Sequence, residues 1–376
     1  MFTGSLPECV DFTLAPGATM KHTYKNILLI QLGDIGDVVL SIPAFRAVHE
    51  NFPQAKIIIA VREKARELIQ HLPGVHGVIS INQDARSLLR EITYQWNFFS
   101  LARRYQFDLV MDFRTGTRGA VLAFFSGAQE RVGFFDHESF WRNRLFTKLY
   151  QLDYKLPRHV ADYYSSLPLA YGVNVNDEIP LIHVTPAMEQ QAARILEREK
   201  VPSDAPLIAI QPFSLWHYKE WGVHKYIQLI QRILSEYNVT IVITGSGDEY
   251  ERAQNIVDLC KDYGRYVCNM AGKTSLGELA AVLKLCRLFI GSDSAGMHIA
   301  AAVGTPTVII FGPSAPASWA PQGNIHTVVQ KHLSCVPCRQ KGCEDTEVSR
   351  CLEELDVNDV FTVVRSHYEK LSSSAT

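Results

Sequence analysis

The sequence contains no apolar run of the roughly 18–20 residues needed to cross a bilayer. It also lacks an excess of either charge: 37 Lys and Arg stand against 39 Asp and Glu, for a net charge of −2. That balance argues against a general nucleic-acid binder, although a local basic patch remains compatible with it. The first 25 residues have no apolar centre, because Pro7, Glu8, Asp11 and Pro16 interrupt it, so no secretory signal is expected. Residues 1–25 read instead as a poorly ordered leader, and the protein as cytoplasmic. What is abundant points to a folded chain. Hydrophobic residues make up 47% and charged residues 20% of 376 positions, enough for two cores rather than one.

From Asn26 onward, short apolar runs alternate with longer helix-period segments. "NILLIQLG" (26–33), "KIIIAV" (56–61), "GVISI" (77–81) and "DLVMDF" (108–113) read as buried strands. Stretches such as "EKARELIQHL" and "DARSLLREITYQWNFFSLARRYQ" between them are amphipathic. The rhythm weakens between about Val132 and Pro206, where prolines accumulate, and then restarts. "LIAIQPF" (207–213), "VTIVITGS" (239–246), "VCNMAG" (267–272), "RLFIGSD" (287–293) and "TVIIFG" (307–312) are five further strand candidates. Strands alternating with helices imply parallel sheets built from βαβ units. The expected architecture is α/β, two facing Rossmann-like doubly wound domains, over residues 26–185 and 186–376. A ligand is then expected in the cleft, at the carboxyl ends of the strands.

Four stretches carry candidate chemistry. In "QLGDIGDVVLSIPAFRAV" (31–48) a strand gives way to a Gly33–Asp34–Ile35–Gly36–Asp37 turn and a helix. The third glycine of the dinucleotide fingerprint is missing. Asp37, near the helix start, serves equally as a cap or as an acceptor of a hydroxyl proton. In "QPFSLWHYKEW" (211–221), Ser214 and Lys219 suit a phosphate, whereas Trp216 and Tyr218 read better as closing a domain edge. "TGSGDEYERA" (244–253) is too acidic for phosphate, so its carboxylates suit ribose hydroxyls or a capped helix. "GSDSAGMHIAAAV" (291–303) ends a strand at Asp293 and opens a short helix. Its free N–H groups at residues 295–298 suit a diphosphate, and Asp293 suits sugar hydroxyls. His298 reads as a packed histidine or a phosphate donor.

Eight cysteines are present. Cys260, Cys268 and Cys286 lie in apolar segments and read as buried thiols. Cys335, Cys338, Cys343 and Cys351 form C-x2-C-x4-C-x7-C, whose first pair suits zinc but whose later spacings match no common ribbon. Bound metal, disulfides and free thiols all remain open there.

"ILLIQLGDIGDVVLSIPAFRAVHENFPQAKI" and "GSDSAGMHIAAAVGTPTVIIFGPSAPASWAP" together resemble the heptosyltransferase-type enzymes of glycosyltransferase family 9. The resemblance covers most of residues 26–355. It implies a GT-B fold and inverting transfer of a sugar, heptose from ADP-heptose in the best-known members, to lipopolysaccharide core or a related cell-envelope glycolipid. It maps the general base to Asp37, ahead of Asp34, and the loop lysine to Lys219, with Ser214 as its hydroxyl partner. Leu215 departs from the hydroxyl usual at that position. The ribose carboxylate falls on Glu249, with Glu251 one register away. Asp293, Ser294, Gly296 and His298 fall on the donor motif, with Ala295 between its serine and glycine.

Arg114 and Arg118 in "DFRTGTRG" (112–119) are expected to grip an anionic glycolipid acceptor. No cofactor beyond the nucleotide-sugar co-substrate is expected, apart from a structural zinc at the cysteine cluster. A monomer in peripheral contact with the cytoplasmic face of the inner membrane, with no nucleic-acid partner, completes the expectation. A sugar-nucleotide epimerase or hydrolase, or a non-catalytic sugar-nucleotide- or metal-binding protein, stands as the alternative.

Overall fold

The computed structural model describes residues 9–11, 23–81, 100, 102–151, 159–176 and 179–373. The chain divides into two compact units, Met1–His183 and Val184–Thr376. The first holds β1 (Cys9–Asp11), β2 (Asn26–Gln31), β3 (Lys56–Arg62), β4 (Val75–Ile81), β5 (Leu109–Asp112), β6 (Glu130–Phe134) and β7 (Lys148–Gln151). These form one parallel sheet in the order β1-β7-β6-β5-β2-β3-β4. The second unit holds β8 (Leu207–Gln211), β9 (Thr240–Ile243), β10 (Val267–Asn269), β11 (Leu288–Ser292), β12 (Thr307–Phe311) and β13 (His326–Gln330). Its parallel sheet runs β10-β9-β8-β11-β12-β13.

Apart from the extra edge strand β1, both sheets follow the doubly wound order 3-2-1-4-5-6. The order reverses between β2 and β5 in one unit and between β8 and β11 in the other. Loops leaving those strands diverge to opposite faces, and the gap between them is where such sheets hold ligands. Each unit is therefore a Rossmann-like domain, as expected for a GT-B protein.

Continuous apolar runs make these strands. Ile27, Leu28, Leu29 and Ile30 are fully buried, as a strand covered on both faces requires. Each such side chain contributes roughly 1.5–3 kcal/mol on burial. Each unit has its own core: Leu28, Ile58 and Val110 centre one, and Ile210, Ile241 and Ile290 the other.

The strands β6 and β7 fall where the sequence rhythm weakens. Their charges disguise them: Lys148 pairs with Glu130 at 3.5 Å, and Arg131 donates to the carbonyls of Leu145 and Ala128. Local satisfaction lets charged residues sit in a sheet without an apolar signature. Within residues 1–25, Cys9–Asp11 pairs in parallel with Leu149–Gln151 as an edge strand. The amphipathic stretch from Asp84 to Phe99 lies outside the described residues.

Candidate functional site

In the first unit, β2 ends at Gln31 and the chain turns into α1 (Ile35–Leu40), followed at once by α2 (Ile42–Asn51). Gln31 is buried and fixes the turn from the strand side: its Oε1 accepts from Gly33 N at 3.0 Å, and its Nε2 donates to Ser41 Oγ at 2.7 Å. Asp34 is the N-cap of α1, and Asp37 sits at its third position. Asp37 Oδ2 accepts from Asp34 N at 2.9 Å, so the capping role anticipated for it is real. The other role is not displaced by it. Arg114 Nη1 reaches Asp37 Oδ2 at 2.5 Å, and Tyr164 donates to Oδ1 at 2.7 Å.

Arg114 leaves the end of β5, across the switch point, just before α3 (Thr117–Phe125). Tyr164 comes from α5 (Val160–Tyr171), which is preceded by the short α4 (Phe140–Asn143). Burial works against the Arg114 charge, yet Asp37 lifts its pKa above the ordinary value. Burial, then the Asp37 charge, raises the Tyr164 hydroxyl well above its usual range, so it stays a donor. A carboxylate offers about four acceptor positions, two per oxygen. Oδ2 is filled by two donors and Oδ1 by one, which leaves one position on Oδ1.

Asp34, by contrast, is exposed and pairs with Arg62 at 2.5 Å. Arg114, expected on the acceptor side, places its guanidinium on Asp37 with its side chain 42% exposed. Arg118 is exposed in the first turn of α3.

Gly33 closes this pocket. A Cβ there would overlap Asp37 Oδ2 and Arg114 Nη1. Gly33→Ala is expected to lower turnover by about 100-fold through displacement of the carboxylate. A thermal melt unchanged in the same variant would locate the loss in the pocket; unaltered kinetics would remove this pocket from the reaction.

In the second unit the corresponding loops leave β8 and β11. Lys219 Nζ donates to Asp293 Oδ2 at 2.7 Å, joining two of the residues singled out from sequence. Ser214 is buried and donates to the Asp293 carbonyl at 3.3 Å. Glu220 ties the loop down: its Oε1 accepts from Ser214 N at 3.2 Å and from Arg252 Nη1 at 3.1 Å. Leu215 and Trp216 are exposed on that loop, and Trp216 stacks with Tyr218 at 6.1 Å.

Ser294 is the N-cap of α7 (Ala295–Ala302), which follows α6 (Val223–Glu236) in this unit. Gln211, at the end of β8, reaches Ser294 Oγ with Nε2 at 3.2 Å. Its Oε1 explains Gly296, where a Cβ would overlap it. His298 is buried with an edge contact to Trp319 at 6.4 Å. Glu249 accepts from Ser246 N at 2.7 Å, a capping contact, and Glu251 is exposed.

Cys260 and Cys286 are buried, while Cys268 is only half-buried. Cys335, Cys338, Cys343 and Cys351 are free thiols, and Arg350 N donates to Cys343 Sγ at 3.5 Å. Burial, then the neighbouring Cys338 and Cys343, pushes the Cys351 thiol up to about 11. Among the described residues no three His, Cys, Asp or Glu side chains are disposed to hold a metal ion, so the expected zinc has no support here.

The description "Glycosyltransferase family 9 (heptosyltransferase)" matches residues 96–348. The chain belongs to glycosyltransferase family 9. It is 25% identical over 293 residues to an Escherichia coli protein named lipopolysaccharide heptosyltransferase 3, covering 77% of this chain and 84% of that one. A Haemophilus ducreyi lipooligosaccharide heptosyltransferase 2 is 27% identical over 310 residues, covering 79% and 86%. The solved structure of E. coli ADP-heptose lipopolysaccharide heptosyltransferase II has the same fold, with a TM-score of 0.77 at 20% identity over 92% of this chain and 99% of that one. The protein is thus a glycosyltransferase, and no described helix is long and apolar enough to cross a membrane.

Family membership removes the non-catalytic alternative. Sequence reasoning did not find Tyr164, Gln31, Gln211, Glu220 or Arg252. Tyr164 had no local signal, since it lies 127 residues from its partner. The glutamines did have one: each ends the first strand of the switch-point pair, a polar residue closing an otherwise apolar run.

Proposed function

We propose that the protein transfers heptose from ADP-heptose, with inversion, onto lipopolysaccharide core or a related cell-envelope glycolipid. The carrying observation is Asp37, a carboxylate held by three donors with one acceptor position left on Oδ1. An acceptor hydroxyl donating there is aligned to lose its proton. As its oxygen attacks the anomeric carbon, the proton passes to Asp37 Oδ1. The bond from that carbon to the diphosphate breaks, and the nucleoside diphosphate leaves with the electron pair.

On the donor side, Lys219 and the amides at the start of α7 meet the growing charge on the diphosphate. Ser214, Ser294, Gly296 and His298 complete the diphosphate cradle. Asp293, freed from part of its contact with Lys219, accepts from sugar hydroxyls, and Glu249 from the ribose. Arg118 faces the anionic acceptor. The names of the relatives support heptose and lipopolysaccharide, and a peripheral monomer at the cytoplasmic face of the inner membrane fits that acceptor.

Thermal shift of the purified protein with ADP-, UDP- and GDP-sugars tests the donor. ADP-heptose is expected to raise the melting temperature most, and to yield a heptosylated product on heptose-deficient lipopolysaccharide. A larger shift with a UDP- or GDP-sugar would overturn the donor assignment.

A further inference from the structure

Behind Arg114 lies a buried ion pair that the reaction does not touch. Arg142, in α4, has no exposed surface, and Asp112, at the end of β5, is 1% exposed. Arg142 Nη2 approaches Asp112 Oδ2 at only 3.5 Å. Its stronger bonds go elsewhere: Nη2 to the Arg114 carbonyl at 2.7 Å and Nη1 to the Phe134 carbonyl at 2.8 Å. Asp112 Oδ1 in turn accepts from Arg114 N at 3.2 Å. Both backbone polar groups of Arg114 are therefore clamped by the pair. Gly119 makes room for it, since a Cβ there would lie 2.5 Å from both Asp112 oxygens.

A buried ion pair with one long contact is a poor source of stability, because desolvation of two charges offsets their attraction. Burial pushes the Asp112 carboxyl up to about 7, with the Arg142 charge pulling it back. The guanidinium carbon of Arg142 lies 4.7 Å from the centroid of the Phe146 ring, so the charge also stacks on an aromatic face. The shortest bond of its guanidinium goes to the carbonyl of Arg114, the residue whose side chain holds Asp37. That side chain is 42% exposed and has long rotamer freedom of its own.

We propose that Asp112 and Arg142 are a positioning pair, fixing the Arg114 backbone so that its guanidinium holds Asp37 in line for the acceptor hydroxyl. This rests on the assignment of Asp37 as the base. α4 thereby gains a kinetic role as well as a structural one. The Arg142 side chain touches no substrate in this scheme, and its influence reaches the reaction through Arg114 alone.

A double-mutant cycle on the full-length enzyme tests the idea. Arg142→Met is expected to lower kcat by about 10- to 100-fold, as misplacement of a reacting group does, with KM for the donor unchanged. In an Arg114→Met background the same substitution is expected to add almost nothing, because its only route to the base has been removed. Should Arg142→Met fail to fold, Arg142→Lys keeps the charge and stem, reaches fewer of the three acceptors, and enters the same cycle. An unaltered kcat in the foldable variant would overturn the proposal. So would an undiminished loss of kcat in the Arg114→Met background, the pattern of general destabilisation. Full activity of Asp37→Asn would instead unseat the base, a separate failure.

Discussion

Asp37→Asn is expected to lower turnover by about 10²–10⁴-fold, the range attached to a positioned proton acceptor, with nucleotide binding intact. The amide is nearly isosteric with the carboxylate. Its oxygen can still accept from Asp34 N, which Asp37 Oδ2 does at 2.9 Å, so the helix keeps its cap. Arg114 loses its counter-charge, but its side chain is 42% exposed and water can compensate. The amide cannot take a proton. Asp37→Ala also removes the acceptor of the Asp34 N–H and is expected to cost about 1 kcal/mol of stability in addition. Kinetics with ADP-heptose and a truncated lipopolysaccharide, beside a binding curve for ADP, read both effects. An Asp37→Asn enzyme working at the parent rate would end the base assignment.

The second large effect is expected at Lys219. Its ammonium lies 2.7 Å from Asp293 Oδ2, with side-chain exposures of 20% and 5%. Lys219→Met strands a buried carboxylate, a loss of at most about 3–5 kcal/mol. It also removes a cation from a growing diphosphate charge, typically about 10²–10³-fold in kcat. The two contributions separate in a second variant. Adding Asp293→Asn removes the stranded charge, so the melting temperature should recover, while turnover stays below that of Asp293→Asn alone. A double variant as active as Asp293→Asn alone would reduce Lys219 to a structural counter-ion.

Much of this was legible in the sequence, for a physical reason. Strands buried on both faces must be continuous apolar runs, so β2, β3, β5, β8, β11 and β12 stand out. The capping box of Ser275 and Glu278 is likewise a local pattern, a serine followed three residues later by a glutamate. Strands whose charges find partners across the sheet, such as Glu130 with Lys148, leave no such trace. The same limit governs the site. Turn residues that follow a strand, Asp37 and Asp293 among them, can be read locally. Arg114 could be found, but its contact with Asp37 could not, because the two lie 77 residues apart in the chain and meet only through the fold. Partners brought in by remote helices, Tyr164 and Arg142, have no local pattern to betray them.

The glutamines that close β2 and β8 have a consequence for binding. Gln31 secures Gly33 and Ser41, and Gln211 secures Ser294 while abutting Gly296. Each turn is thereby anchored to its own sheet, and its ordering entropy is met during folding. Preorganisation of this kind leaves more of the contact energy to appear as affinity and rate. Gln31→Ala or Gln211→Ala would shift that ordering to the moment of ligand capture, and calorimetry would register it as a less favourable binding entropy.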